Sequence, residues 1–336
     1  MAERAAQLAA LLAAAGWADA VQHPLPGDAS FRRYVRLKGE AGSVMLMDAP
    51  PPREDVRPFL AVARMLHRLG LSAPQIRAED AAAGFLLLED FGDDTFTRLL
   101  AAGAAEAPLY ELAVDVLIAL NRRFAASLAP ALPRYDEARL LDEAALLVDW
   151  YLPAIAGEAT APDLRAEYLA LWRTLLPLAA AAPQTLVLRD YHVDNLMRLD
   201  GRPGIAACGL LDFQDAVLGP ASYDLVSLLE DARRDISPDL AGAMRARFLA
   251  AFPALDRDAF ARSYAVLGAQ RNCKIVGIFT RLCVRDGKSS YLAHIPRVWR
   301  LIEEDMRHPA LAPLARWLER YIPAAARRVP SVRPAT

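Results

Sequence analysis

Three polar residues near the middle of the 336-residue chain have the types and the spacing that phosphoryl transfer requires. Asp190 and Asn195 lie five residues apart, and Asp212 follows seventeen residues after Asn195. Phosphoryl transfer uses one carboxylate to hold and deprotonate the acceptor hydroxyl, an amide oxygen at a magnesium ion, and a second carboxylate that bridges the metal to the nucleotide phosphates. These three residues could supply all three groups.

Short apolar segments predict the strands that would hold these residues in place. The segments are residues 186–188, 196–199 and 205–211. The first leads into Asp190, a turn separates the other two, and the third ends at Asp212. Because the second and third segments would form a hairpin, we expect Asn195 and Asp212 to lie side by side.

The loop that carries Asp190 matches a known motif. Protein kinases have H-R-D-x-x-x-x-N in the catalytic loop and D-F-G further along the chain. Arg189, Asp190 and Asn195 match this pattern. Leu188 stands in place of the His, and Gln214 stands in place of the Gly. The loop resembles that of the aminoglycoside phosphotransferase and sugar kinase branch of the kinase-like fold, which usually reads H-G-D-x-H-x-x-N.

Within this branch, the chain is most similar to the bacterial anomeric kinases of N-acetylmuramate and N-acetylglucosamine. His192 matches the second His of the loop. The other similar segments are residues 27–34, 47–51, 211–216 and 270–272. Together they extend the resemblance over residues 27–300.

The resemblance implies an α+β fold of the two-lobed protein-kinase-like type, with a small β-rich N-lobe and a large helical C-lobe. We expect an N-terminal nucleotide-binding lobe at residues 1–88, a hinge at 89–94, a helical lobe with the catalytic loop and the sugar site at 95–323, and a tail at 324–336. The implied cofactors are ATP and Mg²⁺. On this interpretation Asp190 is the catalytic base, and Asn195 and Asp212 are the metal ligands.

Hydrophobic periodicity predicts that the chain after the hinge is mainly helical. The predicted helices cover residues 54–69, 109–124, 140–151, 164–179, 223–232, 240–252, 257–285, 295–306 and 311–321. The predicted strands cluster before residue 90 and around the catalytic loop. This distribution agrees with a small α+β lobe followed by a large helical lobe.

Asp90-Phe91-Gly92 has the letters of the kinase magnesium motif but occurs at the wrong place in the chain. It lies 100 residues before Asp190, whereas the metal-binding Asp of kinases follows the catalytic loop. The apolar residues 85–88 predict a buried strand that ends in a polar, glycine-containing break. This pattern is typical of a hinge. The resemblance implies that backbone groups there bind adenine, with Glu89 and Phe91 as nucleotide-binding candidates.

The phosphate-binding part of the N-lobe departs from protein kinases. Residues 26–30 form a turn-rich loop that ends at Ser30, and backbone N–H groups in such a loop can hold phosphates. The chain has only three lysines, and none lies on the third strand, where Met47 takes the lysine position. Arginine can offer paired planar donors to phosphate oxygens. We predict that Arg32 and Arg33 replace the lysine; the alternatives are that both are surface residues or that nucleotide binding is impaired.

The neighbours of the catalytic set have several possible roles. Asp194 and Asp215 are interpreted as hydrogen-bonded or solvated support. His192 could reach the substrate, but we favour a buried histidine that braces the loop. Arg189 could contact a phosphate or a substrate carboxylate, or it could pair with a structural acid.

The acceptor sugar would require polar side chains on the helical lobe. The candidates are Asp231, Arg234, Gln270, Arg271, Asn272 and Lys274. Arg271 and Lys274 lie three residues apart on one predicted helix, so they share a face that could bind a carboxylate or an acetamido group. The alternative is a salt-bridge network between helices. Asp224 is interpreted as a brace for the catalytic loop.

Composition and charge limit the classes of partner. The chain is 54% hydrophobic and 24% charged, as is typical of globular proteins, and its net charge of −2 gives no reason to expect a nucleic-acid partner. Residues 241–336 contain 17 Lys and Arg against 7 Asp and Glu, a net charge of +10, so the remaining 240 residues carry −12. Such a basic region would attract an acid-bearing sugar and repel a polycationic aminoglycoside.

Several further features concern redox chemistry, membranes and the chain ends. The three cysteines form no C-x-x-C pair, which argues against a disulfide framework or a structural zinc site. No apolar run reaches 18 residues, so no membrane span is predicted. Polar residues interrupt the first twenty residues, which predicts an amphipathic helix rather than a secretory signal. We expect a cytoplasmic monomer with a poorly ordered tail from residue 324.

Two classes of function fit the motifs. The first is an ATP-dependent kinase of the anomeric hydroxyl of N-acetylmuramate or N-acetylglucosamine in peptidoglycan recycling, as the resemblance implies; its nearest rival is an aminoglycoside or choline-type kinase. The second is a nucleotide-binding pseudokinase, because the strand lysine is missing and the His and Gly of the motifs are substituted. A rival amine kinase would require an acidic acceptor pocket, which the basic C-terminal region does not favour.

Overall fold

The computed structural model describes residues 2–26, 31–125, 127 and 132–331. The predicted phosphate loop, including Ser30, therefore lies almost entirely outside the described residues. The chain forms two compact units. The first consists of Met1–Arg123 and Val193–Ala216, and the second of Phe124–His192 and Val217–Thr336. The lobe boundaries predicted from the sequence stay a prediction.

The strands and helices are numbered in chain order. The strands are β1 Val21–Pro24, β2 Arg33–Gly39, β3 Gly42–Asp48, β4 Ile76–Asp80, β5 Phe85–Glu89, β6 Gln184–Val187, β7 Leu196–Arg198, β8 Cys208–Leu210 and β9 Val217–Pro220. The helices are α1 Ala2–Ala14, α2 Arg57–Arg68, α3 Phe96–Ala101, α4 Glu106–Arg123, α5 Glu137–Leu146, α6 Leu152–Ala156, α7 Pro162–Ala179, α8 Tyr223–Leu229, α9 Pro238–Ala250, α10 Arg257–Asp286, α11 Ile295–Asp305 and α12 Ala312–Tyr321.

The first unit contains a five-stranded antiparallel sheet in the order β1-β2-β3-β5-β4. Alternating apolar residues of β2, β3 and β5 form a core against α1; examples are Leu37, Leu46 and Leu87. The tight β2–β3 turn uses Gly42 at φ 106°, a conformation that side chains disfavour. A second, two-stranded sheet pairs β7 with β8. The predicted cluster of strands before residue 90 is confirmed.

The second unit is mainly helical and is organised around the 30-residue helix α10. This helix begins after Asp256, whose carboxylate caps two N–H groups, and ends before Gly287, which has φ 70°. Helix α5 continues into one π-helical turn, Leu147–Tyr151, and both pack on α10. Strands β6 and β9 form a two-stranded sheet beside the helices. The predicted long helices are confirmed to within a few residues at their ends, and short α3 and α6 were not predicted.

The expectation of a poorly ordered tail is wrong for its first residues. Ala324–Ala326 forms a 3₁₀ turn, and the Tyr151 hydroxyl donates to the carbonyl oxygens of Ala326 and Arg328 at 3.2 and 2.9 Å. Arg327 pairs with Glu303 at 2.7 Å. The Pro- and Arg-rich composition of residues 324–336 is typical of a disordered segment. It cannot show that Tyr151 and Glu303, far away in the sequence, contact the first residues of the tail. Residues 332–336 lie outside the described residues.

Gly277 lets α10 approach the end of α5 closely. A Cβ atom added at this position would lie 2.3 Å from the backbone carbon and oxygen of Leu146. We expect Gly277→Ala to lower the free energy of unfolding by about 1–3 kcal/mol, because backbone would have to move. Gly242→Ala on α9 is the matched control: it meets nothing within 4 Å and should raise the stability by up to about 1 kcal/mol. Urea unfolding measures both; equal stability of Gly277→Ala and wild type would contradict the packing argument.

Candidate active site

The first half of the catalytic loop is held in the second unit by a buried aspartate. Asp224 on α8 accepts the backbone N–H of Leu188 at 2.7 Å and that of Arg189 at 2.9 Å. The Ser227 hydroxyl, one helical turn later, donates to the carbonyl oxygen of Arg189 at 3.1 Å. The predicted bracing role of Asp224 is confirmed. Burial raises the pKa of Asp224 to about 7, although both N–H groups favour the carboxylate.

Arg189 adopts an unusual conformation directly before Asp190. Its φ of 69° lies in the left-handed region, which a non-glycine residue enters only where surrounding contacts enforce it. The guanidinium donates to Glu143 at 2.6 Å, and Lys274 lies 2.9 Å from the same carboxylate oxygen. The other oxygen of Glu143 accepts the hydroxyl of Tyr135 at 2.5 Å. Arg189 and Lys274 therefore pair with a structural acid, which is the second alternative that the sequence left open.

Glu143 is ionised because two cations share it. Burial alone would raise its pKa, but Lys274 and Arg189 hold it below the ordinary value of a glutamate. For Arg189, burial acts in the opposite direction, and the charge of Glu143 raises the pKa of the guanidinium. The cluster joins α5, α10 and the catalytic loop into one network.

His192 is buried among charged groups of the second unit. Burial lowers the pKa of the imidazole; Asp231 and Asp190 act to raise it, and Arg233 and Arg271 act to lower it. Its backbone N–H donates to the Asp190 carbonyl at 3.2 Å. A buried histidine of depressed pKa fits a brace for the loop better than a solvent-exposed substrate ligand.

The other acceptor candidates of the second unit are mostly buried and hydrogen-bonded. Arg271 is 5% exposed and donates to the Glu230 carbonyl at 3.1 Å. Asp231 is 2% exposed and accepts the backbone N–H of Arg233 at 2.8 Å. Arg234 is half-buried. For Arg271, this geometry favours a structural role over sugar binding.

In the first unit, a cavity of about 510 Å³ lies beside the large sheet. Its lining combines apolar side chains with charged ones and with the second half of the catalytic loop. The residues that the following paragraphs use are Arg32, Tyr34, Arg36, Met45, Met47, Leu88, Glu89, Asp90, Phe91, Asn195, Met197 and Asp212. A cavity of this size with a few polar groups is typical of a small-molecule site.

Asn195 and Asp212 are brought together by the pairing of β7 with β8. Leu196 pairs with Leu210, and the N–H of Leu211 donates to the carbonyl oxygen of Asn195 at 3.0 Å. The predicted hairpin is confirmed, and both candidate metal ligands line the same cavity. Asp212 has φ 55° and an approximately half-exposed side chain, a conformation that is often retained at functional sites.

Arg32 lies between two carboxylates on the cavity wall. Its Nε is 3.4 Å from Glu54, and its Nη1 is 4.0 Å from Asp212. Glu54 therefore pairs with an arginine. Arg33, the first residue of β2, is exposed and is not part of the cavity lining. We therefore retain Arg32 as a nucleotide-binding candidate and drop Arg33.

The segment after β5 is tied to the sheet on one side. The Arg36 guanidinium lies 2.7 Å from Asp90 and donates to the Gly92 carbonyl at 3.0 Å. Burial would raise the pKa of Asp90, but the Gly92 N–H and Arg36 lower it below the ordinary value. Asp90 is therefore occupied by protein contacts, in agreement with its exclusion as the metal residue.

The same segment is tied to the β7–β8 connection on the other side. Arg202 pairs with Glu89 and lies 5.4 Å over the ring of Phe91. The Phe91 ring also covers Gly209, where a Cβ would come within 2.8 Å of it. Both predicted hinge candidates line the cavity.

Asp194 has a supporting role. Its carboxylate accepts a hydrogen bond from the hydroxyl of Thr97 on α3. Gln214, which takes the place of the motif glycine, donates to Asp212 at 2.8 Å and lies 3.4 Å from Asp215. The sequence interpretation of Asp194 as hydrogen-bonded support is confirmed.

Comparison with known proteins identifies the family. Residues 21–261 match the model of the phosphotransferase enzyme family. The chain belongs to this family. An N-acetylmuramate/N-acetylglucosamine kinase of Caulobacter vibrioides is 40% identical to this phosphotransferase over 360 residues, 97% of this chain and 99% of that protein. A protein of the same name from Pseudomonas aeruginosa is 40% identical over 323 residues, 92% of this chain and 91% of that protein.

A solved structure shows the fold of this phosphotransferase. The crystal structure of ADP-bound aminoglycoside phosphotransferase APH(2'')-Ib matches it with a TM-score of 0.57 at 15% sequence identity, covering 90% of this chain and 96% of that chain. The predicted aminoglycoside phosphotransferase fold is confirmed. Sequence reasoning missed Tyr34 and Arg36 in the cavity wall; they lie two residues apart on β2, so the period of a strand places them on one face.

The donor set of the phosphotransferase suits magnesium bound together with a phosphate. In the described part of the chain, no three His, Cys, Asp or Glu side chains form a cluster that could hold a metal ion. Asn195 and Asp212 offer an amide and a carboxylate oxygen, and magnesium commonly completes such sites with water and substrate phosphates. The residues therefore fit a metal that arrives with the nucleotide.

Over residues 2–26, 31–125, 127 and 132–331, every helix is too short or too polar to cross a bilayer.

Asp224 provides a test of the loop geometry. Asp224→Asn should lower the free energy of unfolding by about 1–3 kcal/mol, since one buried N–H loses its acceptor. Because the pKa is near 7 in the folded chain, the native state binds a proton that the unfolded state has released between about pH 4 and 7, so wild-type stability falls as pH rises through that window. The cost of the substitution should therefore shrink between pH 5 and pH 8.

Urea unfolding of wild type and Asp224→Asn at both pH values measures this difference. Asp200→Asn is the control, because Asp200 is 88% exposed and its replacement should change stability little at either pH. A cost of Asp224→Asn that grows with pH would mean that the carboxylate is ionised in the folded protein.

Proposed function

We propose that this phosphotransferase transfers the γ-phosphate of ATP to the anomeric hydroxyl of N-acetylmuramate or N-acetylglucosamine, as a step of peptidoglycan recycling. The observation that carries the proposal is the 40% identity, over nearly the full length of both chains, to a relative named for this activity. The fold alone would not specify the acceptor, because one fold serves many substrates. The identity extends through both units, including the helices that would contact the sugar.

The cavity of the first unit would hold the nucleotide. Met45, Leu88 and Met197 give it apolar walls, which suit a planar base. The Glu89–Phe91 segment borders the same cavity and would offer backbone groups to the base edge. A solved structure of the same fold is bound to ADP, which supports a nucleotide in this cavity.

The phosphates would extend toward the polar end of the cavity. Asn195 and Asp212 would hold Mg²⁺, which neutralises charge on the phosphates when bound. Arg32, between Glu54 and Asp212, would contact phosphate oxygens in place of the strand lysine. The Arg32–Glu54 pair orients the guanidinium, so less conformational entropy is lost on binding.

Asp190 would act on the acceptor. Its carboxylate would accept the proton of the anomeric hydroxyl while the sugar oxygen forms a bond to the γ-phosphorus. The bond between that phosphorus and the β–γ bridging oxygen breaks, and ADP leaves with the electron pair. Asp224 and Glu143 keep the backbone before Asp190 in one conformation, which preserves its position for the transfer.

Purified protein with ATP·Mg²⁺ and a panel of acceptors tests this proposal. We expect phosphorylation of N-acetylmuramate or N-acetylglucosamine, and no turnover of choline, uronic acids or aminoglycosides. Asp190→Asn should reduce kcat by orders of magnitude and leave ATP affinity nearly unchanged, because the base acts on the acceptor. Asp212→Ala should instead remove the magnesium-dependent part of nucleotide binding.

Asp190→Asn and Asp212→Ala are controls for each other, because the first should change kcat and the second should change nucleotide binding. Nucleotide affinity is measured by calorimetry with and without Mg²⁺, and kcat by ADP release. Near-native turnover of Asp190→Asn would exclude the proposed base. Tight nucleotide binding without phosphorylation of any sugar by the wild type would favour a pseudokinase.

Arg32 and Arg33 form a matched pair for the phosphate contact. Arg32→Ala should raise the KM for ATP by about tenfold or more, because a charge-assisted bidentate contact is lost. Arg32→Lys should recover part of the affinity, since it keeps the charge but not the planar geometry. Arg33→Ala, at an exposed residue outside the cavity lining, should leave the KM within about twofold. Equal effects at both positions would remove Arg32 from the proposal.

A further inference from the structure

The segment that carries Asp212 is anchored by the phenylalanine that follows it. Phe213 is fully buried and stacks on Phe59 of α2, with the two ring centres 4.8 Å apart. Asp212 and Gln214, on either side of Phe213, both line the cavity. The buried ring therefore fixes the backbone, but the side chain of Asp212, which is 48% exposed, must be oriented by its polar neighbours.

Gln214 contacts two carboxylates with one nitrogen atom. Its Nε2 donates to Oδ1 of Asp212 at 2.8 Å and to Oδ2 of Asp215 at 3.4 Å. A primary amide nitrogen carries two hydrogens, so it can donate to both acceptors at once. The shorter contact is made to the residue with the unfavourable φ of 55°. Gln214 thus orients the carboxylate of Asp212 within the cavity.

The amide of Gln214 is neutral, and this matters beside a carboxylate that is proposed to bind a metal ion. Oδ1 of Asp212 also lies 4.0 Å from Nη1 of Arg32. A cation in direct contact would neutralise the carboxylate and repel Mg²⁺, whereas a glutamine orients the carboxylate and leaves its negative charge in place. When Arg32 contacts phosphate oxygens, as proposed above, the hydrogen bond from Gln214 would still hold Asp212.

We propose that Gln214 is a positioning residue that orients the Asp212 carboxylate for Mg²⁺ and so sets how tightly the magnesium form of the nucleotide binds. This inference rests on the proposed function, because it takes Asp212 to be a metal ligand at the nucleotide phosphates. Gln214 acts through Asp212 and not on the reacting atoms. In the D-F-G motif of protein kinases this position is a glycine, which has no side chain. A side-chain donor to the aspartate is thus a feature that this chain adds to the motif.

Nucleotide binding measured by calorimetry tests this role without depending on turnover. ADP is titrated into wild type and Gln214→Leu over a series of Mg²⁺ concentrations and without Mg²⁺. Gln214→Leu removes the donor and keeps a side chain of similar size. We expect it to raise the Mg²⁺ concentration that gives half of the gain in ADP affinity by about three- to tenfold, and to leave the affinity for metal-free ADP within about twofold.

Gln214→Glu is a second variant of nearly the same shape with a different expected result. It replaces the donor by a third carboxylate beside Asp212 and Asp215. Mg²⁺ alone should therefore bind the nucleotide-free protein more tightly than it binds wild type, and metal-free ADP should bind more weakly. Both affinities are measured by the same calorimetry. Wild-type values for both would contradict the placement of Gln214 beside the metal-binding carboxylate.

Gln184→Leu is the matched control. Gln184 is also a glutamine whose Nε2 donates a hydrogen bond, but its acceptor is the Ala182 carbonyl oxygen at 3.3 Å in the second unit. Its replacement should leave ADP affinity unchanged with and without Mg²⁺.

Two results for Gln214→Leu would overturn the role of Gln214. One is an unchanged Mg²⁺ dependence, and the other is an equal loss of ADP affinity with and without Mg²⁺, which indicates general damage to the cavity. Wild-type ADP binding that does not depend on Mg²⁺ would overturn it as well. If the wild type shows the expected Mg²⁺ dependence but phosphorylates no sugar, the proposed function fails, whereas the effect of Gln214 on magnesium-dependent binding is still measured.

Discussion

A single buried carboxylate fixes the backbone on which the rest of the catalytic loop depends. Asp224 accepts two consecutive N–H groups, of Leu188 and Arg189, and each would cost about 1–3 kcal/mol if it lost its acceptor while buried. The conformation that it holds is intrinsically unfavourable, because Arg189 has φ 69°. Ser227 and Glu143 add contacts to the carbonyl oxygen and the guanidinium of the same residue. Contacts from α5 and α8 therefore determine the position of Asp190 as much as the loop itself does.

The sequence could predict the placement of residues where it follows from local spacing. Asn195 and Asp212 were assigned because a five-residue loop and a short hairpin leave few other arrangements, and β7 pairs with β8 as expected. Arg32 and Arg33 could not be separated in the same way. They are adjacent and chemically identical, and only the folded structure shows that Arg32, directly before β2, lines the cavity whereas Arg33, the first residue of β2, is exposed. One position in the chain separates a cavity-lining arginine from a surface arginine.

Roles that depend on distant partners were beyond the sequence. Arg271 and Lys274 share a helix face, as predicted, but helical periodicity does not say what that face meets. Glu143 lies 131 residues before Lys274 in the chain and turns the lysine into part of a structural network. The tail was misjudged for the same reason, since Tyr151 holds it through main-chain contacts that no local pattern reveals.

Burial divides the cations of the helical unit into two groups with different energetics. A buried arginine without an acid would pay a large desolvation cost, so Arg189 and Lys274 are stable only with Glu143, and their charge is already used. Binding a ligand carboxylate there would require breaking that network. An exposed arginine such as Arg300, which is 61% exposed and 3.0 Å from Asp235, keeps most of its hydration and gains little from its pair. Lys274 and Arg300 lie in the same basic region of the sequence, residues 241–336, and yet the buried lysine, unlike the exposed arginine, takes part in the network that fixes the catalytic loop.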